Sequence, residues 1–221
     1  MQTKKVNENS HKLLTNLASC QRCPRLVGHR QDVLAKYPDY MAHPIGAWGS
    51  SRHHLLIVGL APGLHGAART GKAFVGDASG NFLFTCLHKA GYATSPNPLK
   101  AKLVNTQITN VVKCLPPGNL PTTEERNQCG DYLDAELRQF MPVKLRKPRV
   151  ILVLGGFAFR ATIRALNIKG LGYTHHLSHA LTDRVQLVVS HHPSQLNVNT
   201  GRLTQGMFDA VLDTVTAHLE R

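Results

Sequence analysis

Four short runs of apolar residues recur along the chain, and each ends near a residue typical of loops. The runs are Leu55–Leu60, Thr106–Val112, Arg149–Leu154 and Val185–Ser190. Near-continuous apolar runs of this length are typical of parallel strands that are covered on both faces. The pattern therefore predicts four buried strands in one parallel sheet.

Segments with helical spacing of apolar residues lie between and after these runs. The predicted helices are Asp77–Gly91, Glu124–Phe140, Gly155–Leu166 and Gly206–Leu219, and Thr122 or Thr123 can cap the second of them. Alternating strands and helices predict an α/β fold with parallel strands. Because no repeat or linker interrupts the pattern, we expect residues 1–221 to form one domain.

The loops after the predicted strands are the places to look for chemistry. In an open parallel sheet the active site forms at the carboxyl ends of the strands. Here those loops are residues 61–80, 113–121, 155–157 and 191–201, and three of them are rich in Gly, Pro, His or Asn.

The charge balance favours a polyanionic partner. Lys and Arg number 26 against 13 Asp and Glu, which gives a net charge of +13. Such an excess is typical of nucleic-acid-binding proteins, although a basic surface without a specific partner gives the same count. No apolar stretch approaches the ~20 residues that cross a bilayer, and the N-terminus lacks a secretory signal. We therefore expect a cytoplasmic protein.

Four of the five cysteines form a pattern that suits a metal centre. Cys20 and Cys23 form a CxxC, Cys114 follows the second strand, and Cys129 lies in a predicted helix. Four thiolates suit tetrahedral zinc or an iron–sulfur cluster, and the wide second spacing slightly favours the cluster. The alternative, a buried apolar cysteine, fits Cys86. A structural metal would anchor the N-terminal arm, residues 1–25.

The segment Gly59–Gly80 joins the first strand to a helix and contains six glycines. Its spacing matches neither a phosphate-binding GxxxxGK[ST] loop nor a dinucleotide-binding GxGxxG turn. We interpret it as the wall of a pocket for a flat ligand, with Phe74 available for stacking and Asp77 as a charge. Phe74 could instead be a core residue, and Asp77 could cap the helix. A cap at the pocket edge could also serve the ligand.

A second loop, His191–Asn197, follows the fourth strand. A histidine there can donate to an oxygen on which negative charge develops, and Ser194 can bind a phosphodiester. A metal site is the alternative for the histidines of this loop and for His175 and His176. Carboxylate partners are scarce, so we disfavour it.

Two motifs, GLAPGxHGAxRTGxxFxGDASG and HPSxxNxxTGRL, resemble those of the family 5 uracil-DNA glycosylases. The resemblance runs from about Cys20 to Leu203 and includes the cysteine pattern. It implies a three-layer α/β/α sandwich around a four-stranded parallel sheet. It also implies removal of uracil, and of other deaminated bases, from DNA. The implied cofactor is a [4Fe-4S] cluster held by Cys20, Cys23, Cys114 and Cys129.

The resemblance also implies roles for single residues. Asp77 is the main catalytic carboxylate, and His192 stabilises the leaving uracil anion. Phe74 stacks on the extruded base, Asn110 reads its edge, and Ser194 binds backbone phosphate. Further substrate-binding residues are Gly59, Ala61 and Gly63, and the residues inserted into the duplex are Gln195 and Leu196.

Leu60 and Ala61 occupy positions where other families of the superfamily have a polar residue that activates or positions water. The resemblance therefore makes Asp77 the main catalytic group. No lysine is placed as a Schiff-base nucleophile, Lys72 being the nearest, so we expect no strand cleavage. We expect a monomer that acts on double- or single-stranded uracil-containing DNA. The alternatives are a non-catalytic, metal-stabilised nucleic-acid-binding protein and a nucleotide hydrolase, which the missing phosphate-loop motif disfavours.

Overall fold

The computed structural model describes residues 10–142 and 144–221, which form one α/β domain. Within them a six-stranded sheet has the order β1-β3-β2-β4-β6-β5. The strands are β1 (Trp48–Gly49), β2 (Leu55–Gly59), β3 (Thr106–Asn110), β4 (Arg149–Leu154), β5 (Ser178–Ala180) and β6 (Val185–Ser190).

The sheet is mixed, so the expectation of a four-stranded parallel sheet is wrong in strand number. The central strands β3, β2, β4 and β6 pair in parallel. However, β1 and β5 add antiparallel edges. The edge strands have only two and three residues, and they are partly exposed. Segments this short carry no apolar run that a sequence pattern could detect.

Residues 10–15 are helical, and seven further α-helices follow them in the described part of the chain. They are α1 (Pro24–Lys36), α2 (Ala67–Thr70), α3 (Ala78–Lys89), α4 (Thr123–Phe140), α5 (Gly156–Ala165), α6 (Gln195–Asn199) and α7 (Gln205–Leu219). The four helices predicted from the sequence are α3, α4, α5 and α7. Thr122 and Glu125 start α4 with a capping box, as the sequence predicted. Helix α1 buries only Leu26 and Val33, which explains why the pattern missed it.

Alternate residues of the central strands face two separate cores. Leu56, Val58, Ile151 and Val153 pack with α4 and α5 on one face. Leu55, Ile57, Val150 and Leu152 pack with α3 and α7 on the other. Both faces are therefore apolar, which is why these strands read as continuous apolar runs.

Part of the predicted N-terminal arm, residues 1–9, lies outside the described residues. Farther along it, Leu17 packs in the same core as Leu26 and Cys129. Anchoring of the arm by a metal stays a prediction. In the described ranges, no helix combines the length and the apolar character that a membrane crossing requires.

Candidate active site

One pocket opens at the carboxyl ends of β2, β3 and β6, where the parallel sheet predicted it. Seven residues chosen from the sequence line it together: Ala61, Gly63, Phe74, Asp77, Asn110, His192 and Ser194. The eighth, Gly59, lies behind the wall. A Cβ atom on Gly59 would come within 2.4 Å of Asn110 Oδ1 and 2.6 Å of the Phe74 ring. Gly59 therefore acts by leaving space for two side chains of the site.

Asp77 is both the N-cap of α3 and a wall of the pocket. Its Oδ1 accepts a hydrogen bond from the Gly80 amide at 2.8 Å. The cap orients the carboxylate and places it at the positive end of a helix. The two interpretations of Asp77 in the sequence are thus compatible in one geometry.

Two glycines make room for the other oxygen of Asp77. A Cβ atom on Gly66 would lie 2.1 Å from Oδ2, and one on Gly63 would lie 3.2 Å from it. The carboxylate therefore packs directly against the backbone of the loop. Any side chain at residue 66 has to displace it.

Phe74 holds a strained backbone conformation beside the pocket, with a φ of 59°. A left-handed conformation in a bulky residue costs about 1–3 kcal/mol and persists only when its surroundings impose it. Thr70 Oγ1 donates to the Val75 carbonyl at 2.9 Å, and Trp48 Nε1 donates to the Ala73 carbonyl at 3.0 Å. Arg69 donates to the Gly76 carbonyl. These bonds support the strained turn from both sides.

Asn110 ends β3 and is almost fully buried. Its side-chain oxygen has no hydrogen-bond partner, although it lies against the pocket. A buried acceptor without a partner costs about 1–3 kcal/mol. Such a group at the bottom of a pocket is available to a ligand N–H.

His192 lies beside Phe74, with the two ring centroids 5.8 Å apart. Burial among protein atoms lowers the pKa of His192 to about 4, although the nearby Asp77 charge raises it. The ring is therefore neutral at pH 7. A neutral imidazole in this position can donate a hydrogen bond to an oxygen without bringing a full positive charge into the pocket.

The turn after His192 is held by its own side chains. Ser194 caps the short helix α6 by accepting from the Asn197 amide at 3.3 Å. Asn197 Nδ2 donates to the His192 carbonyl at 2.8 Å. Leu196 is 73% exposed at the tip of this turn. The turn therefore presents an apolar side chain to solvent beside the pocket.

The other histidines of this region are engaged with one another and with Tyr173. His191 Nδ1 hydrogen-bonds the Tyr173 hydroxyl at 2.8 Å, and the His175 ring stacks on His191 with centroids 4.7 Å apart. The Nζ of Lys72 lies over the Trp48 ring, and Lys72 does not line the pocket. These residues do not enter the site directly.

The four cysteines of the predicted metal centre lie around one small cavity, between α1, α4 and the end of β3. Its lining includes Cys20, Cys23, Cys114 and Cys129. Cys86 lies apart, buried in the core under α3. Among the described residues no group of three or more His, Cys, Asp or Glu side chains is arranged to hold a single metal ion.

Sequence reasoning missed four residues that contribute to the site. Asn119 lines the pocket from the turn after Cys114, and Pro-Pro-Gly preceding it was the available signal. Gly66 was hidden among six glycines. The sequence analysis gave no role to Arg69 and Thr70, which brace the backbone of the loop.

Comparison with known proteins agrees with this geometry. The family model described as "Uracil DNA glycosylase superfamily" matches residues 47–216. A type-5 uracil-DNA glycosylase from Mycobacterium bovis is 40% identical, covering 88% of this chain and 76% of its own length. One from Thermus thermophilus is 36% identical, covering 89% and 92%. A type-4 uracil-DNA glycosylase from Archaeoglobus fulgidus is 31% identical, covering 68% and 62%.

Replacing Gly66 with alanine should displace the Asp77 carboxylate. We expect Gly66→Ala to lower the free energy of unfolding by about 1–3 kcal/mol, the usual range for overpacking. The Gly80 amide resonance should also shift, because its acceptor moves. The control is Gly28→Ala, since Gly28 lies in α1 with no atom near the added Cβ. Unchanged stability and an unshifted Gly80 amide in Gly66→Ala contradict the close packing.

The lowered pKa of His192 predicts how stability depends on pH. NMR titration should find a pKa of about 4, against an ordinary value of 6.5. The unfolded chain then binds the proton more readily, so this contribution to stability is complete above pH 6.5 and disappears as the pH falls towards 4. Asp77→Asn should lower the pKa further. A measured value near 6.5 would contradict the burial of the ring.

Proposed function

The chain belongs to the uracil-DNA glycosylase superfamily, and on that premise we propose how its pocket releases uracil from DNA. It is a DNA-repair hydrolase of the N-glycosidic bond, as its type-5 relatives are named. The observation that carries the mechanism is the meeting of an acidic and a neutral imidazole side chain, Asp77 and His192, in one pocket.

The pocket fits an extruded pyrimidine. A base must leave the duplex before its glycosidic bond can be reached. The Phe74 ring offers a face for stacking, and Asn110 Oδ1 offers the acceptor that the N3–H of uracil needs. Pairing with the base satisfies an acceptor that the protein alone leaves unpartnered. Base binding therefore offsets part of the cost of folding the pocket.

Cleavage produces a positive charge on the sugar and a negative charge on the departing uracil, and the pocket has one side chain to stabilise each. The sugar passes through an oxocarbenium-like state by analogy with other glycosyl cleavages, and the Asp77 carboxylate stabilises its positive charge. The departing uracil carries negative charge on O2, to which neutral His192 donates. Asp77 is also placed to orient the attacking water. Leu60 and Ala61 offer no polar side chain for this step.

Binding to DNA rests on charge and on the His192–Asn197 turn. The net charge of +13 favours contact with phosphates, which recovers the cost of base extrusion. Ser194 is placed to contact backbone phosphate, and exposed Leu196 to enter the base stack. Among the described residues no lysine lines the pocket, so we expect the reaction to stop at the abasic site. We propose a monomer, since nothing in the pocket requires a second copy.

The four cysteines around one cavity fit a [4Fe-4S] cluster. The donor set is all sulfur, which suits iron–sulfur clusters, and the four side chains line one cavity. Cys20, Cys23, Cys114 and Cys129 would hold it. When bound, the cluster would supply positive charge that offsets part of the negative charge of the four thiolates. It would tie the segment before α1 to α4 and to the loop that follows β3.

A broader substrate range is consistent with the few polar groups that read the base. Of the residues that the structure describes, Asn110 is the one buried side-chain amide that lines the pocket. A site with few hydrogen-bonding groups rejects analogues weakly. We therefore propose that hypoxanthine and other deaminated bases are also released. A purely DNA-binding role is not favoured, because the catalytic pair and the family agree.

Asp77→Asn should separate catalysis from capping. Asparagine caps helices as well as aspartate does, so the stability should change by less than about 1 kcal/mol. The rate of uracil release from a duplex should nevertheless fall by about 10²–10⁴-fold, the usual worth of a catalytic acid or base. Alkali-labile abasic sites on a gel measure the rate, and a duplex with thymine in place of uracil is the substrate control.

The matched variant is Asp32→Asn, which removes an exposed carboxylate on α1. It should keep the wild-type rate. If Asp77→Asn retains more than a third of that rate, the carboxylate is not catalytic.

Metal analysis tests the cysteine site. Purified protein should contain about four iron atoms and four sulfides per chain and absorb visible light. Cys114→Ala should lose the iron and the absorption, whereas Cys86→Ala should keep both because Cys86 lies in another core. Zinc in place of iron, or full iron content in Cys114→Ala, contradicts the proposal.

A further inference from the structure

Lys113 and Glu136 form a buried ion pair that the chemistry above does not use. The Lys113 side chain has no exposed surface, the Glu136 side chain is 5% exposed, and Nζ lies 2.7 Å from Oε2. An apolar pair of similar volume is often at least as stabilising as a buried ion pair. The pair therefore points to a task other than stability.

Each hydrogen of the ammonium group meets one acceptor. Nζ donates to the Asn110 carbonyl at 2.7 Å and to Thr109 Oγ1 at 2.8 Å, besides Glu136. The Thr109 hydroxyl in turn donates to Glu136 Oε2 at 2.9 Å. The other carboxylate oxygen accepts from the Ala47 amide at 3.2 Å. A network satisfied in this way is rigid.

The contact to Asn110 replaces a missing sheet bond. The Val111 amide donates to the Gly59 carbonyl at 2.9 Å, so the backbone groups of Val111 face β2. The backbone groups of Asn110 consequently face the other side of β3. There β1 pairs only with Gln107 and Ile108, and it offers no partner farther along. The Lys113 ammonium takes this place.

We propose that Lys113, held by Glu136, is a positioning residue that fixes the backbone of Asn110 and so directs its amide into the base pocket. Lys113 does not line the pocket itself. Asn110 Oδ1 has no partner that could hold the amide from its far end, so the backbone is its anchor. The inference rests on the proposed function, in which Asn110 contacts the base.

The test removes the pair together, in Lys113→Met/Glu136→Leu, so that no buried charge remains unpaired. We expect kcat/KM for uracil release to fall about tenfold, as for the loss of a hydrogen bond. The Kd for an undamaged duplex should stay within about twofold, because the phosphate contacts are intact. In an Asn110→Ala background the same pair of changes should cost less than about twofold, because both act through one amide.

If the losses in kcat/KM from Asn110→Ala and from the double variant simply add when combined, the positioning role is wrong. It is also wrong if the double variant folds and keeps the wild-type kcat/KM. A direct readout is the side-chain amide NMR signal of Asn110. It should be sharp in the wild type and broadened in the double variant, and an unchanged signal overturns the proposal. This readout does not need turnover. If the wild type released no uracil, the proposed function would fail while the positioning role was still tested.

Glu136→Gln is the second variant, in case the double variant does not fold. It keeps the shape of the side chain and leaves the Lys113 contacts to Asn110 and Thr109 available. We expect kcat/KM within about threefold of the wild type together with a lower unfolding midpoint, because the charge pairing is lost while the carbonyl contact stays. A loss above threefold in folded Glu136→Gln protein that keeps the sharp Asn110 amide signal would show that the contact to Asn110 is not the cause.

Discussion

The parallel pairing of Gly59 with Asn110, at the carboxyl ends of β2 and β3, is the constraint on which the site depends. No side chain fits at residue 59, because Asn110 Oδ1 and the Phe74 ring occupy its space. The pairing therefore brings the start of the glycine-rich loop and the Asn110 amide to one point. The neighbouring strands β4 and β6 continue the sheet and bring His192 to the same edge.

The loop after β2 places its side chains by combining tight packing with strain. Gly66 allows the Asp77 carboxylate to pack against backbone, and Phe74 takes a left-handed conformation. Hydrogen bonds from Thr70 and Arg69 to loop carbonyls support that conformation. The strain and the unpaired Asn110 acceptor are costs of a preorganised pocket, and the large two-sided core tolerates them.

Two side chains of different charge line the pocket, and the fold sets their charges. Asp77 lies at the N-terminus of α3, where a negative charge is favoured. His192 is buried, and its lowered pKa keeps it neutral. Under this pocket, Lys113 and Glu136 place a fully paired charge network against the end of β3. The same helix α4 carries Glu136 and Cys129, so the cysteine site and the base pocket share one support.

The sequence by itself determined the α/β class, four strands, four helices and the residues of the pocket, because buried strands and helix faces impose local periodicities and the motifs are long. It predicted Asp77 both as a cap and as a catalytic group, and both fit one geometry. It missed β1, β5, α1 and the short helices α2 and α6, since very short segments and a mostly polar helix show no detectable apolar period. Only the tertiary structure decided that Gly66 holds space for a carboxylate and that Lys113 lies beneath Asn110. Those facts depend on three-dimensional contacts of the folded backbone, and the local pattern of apolar and polar residues does not specify such contacts.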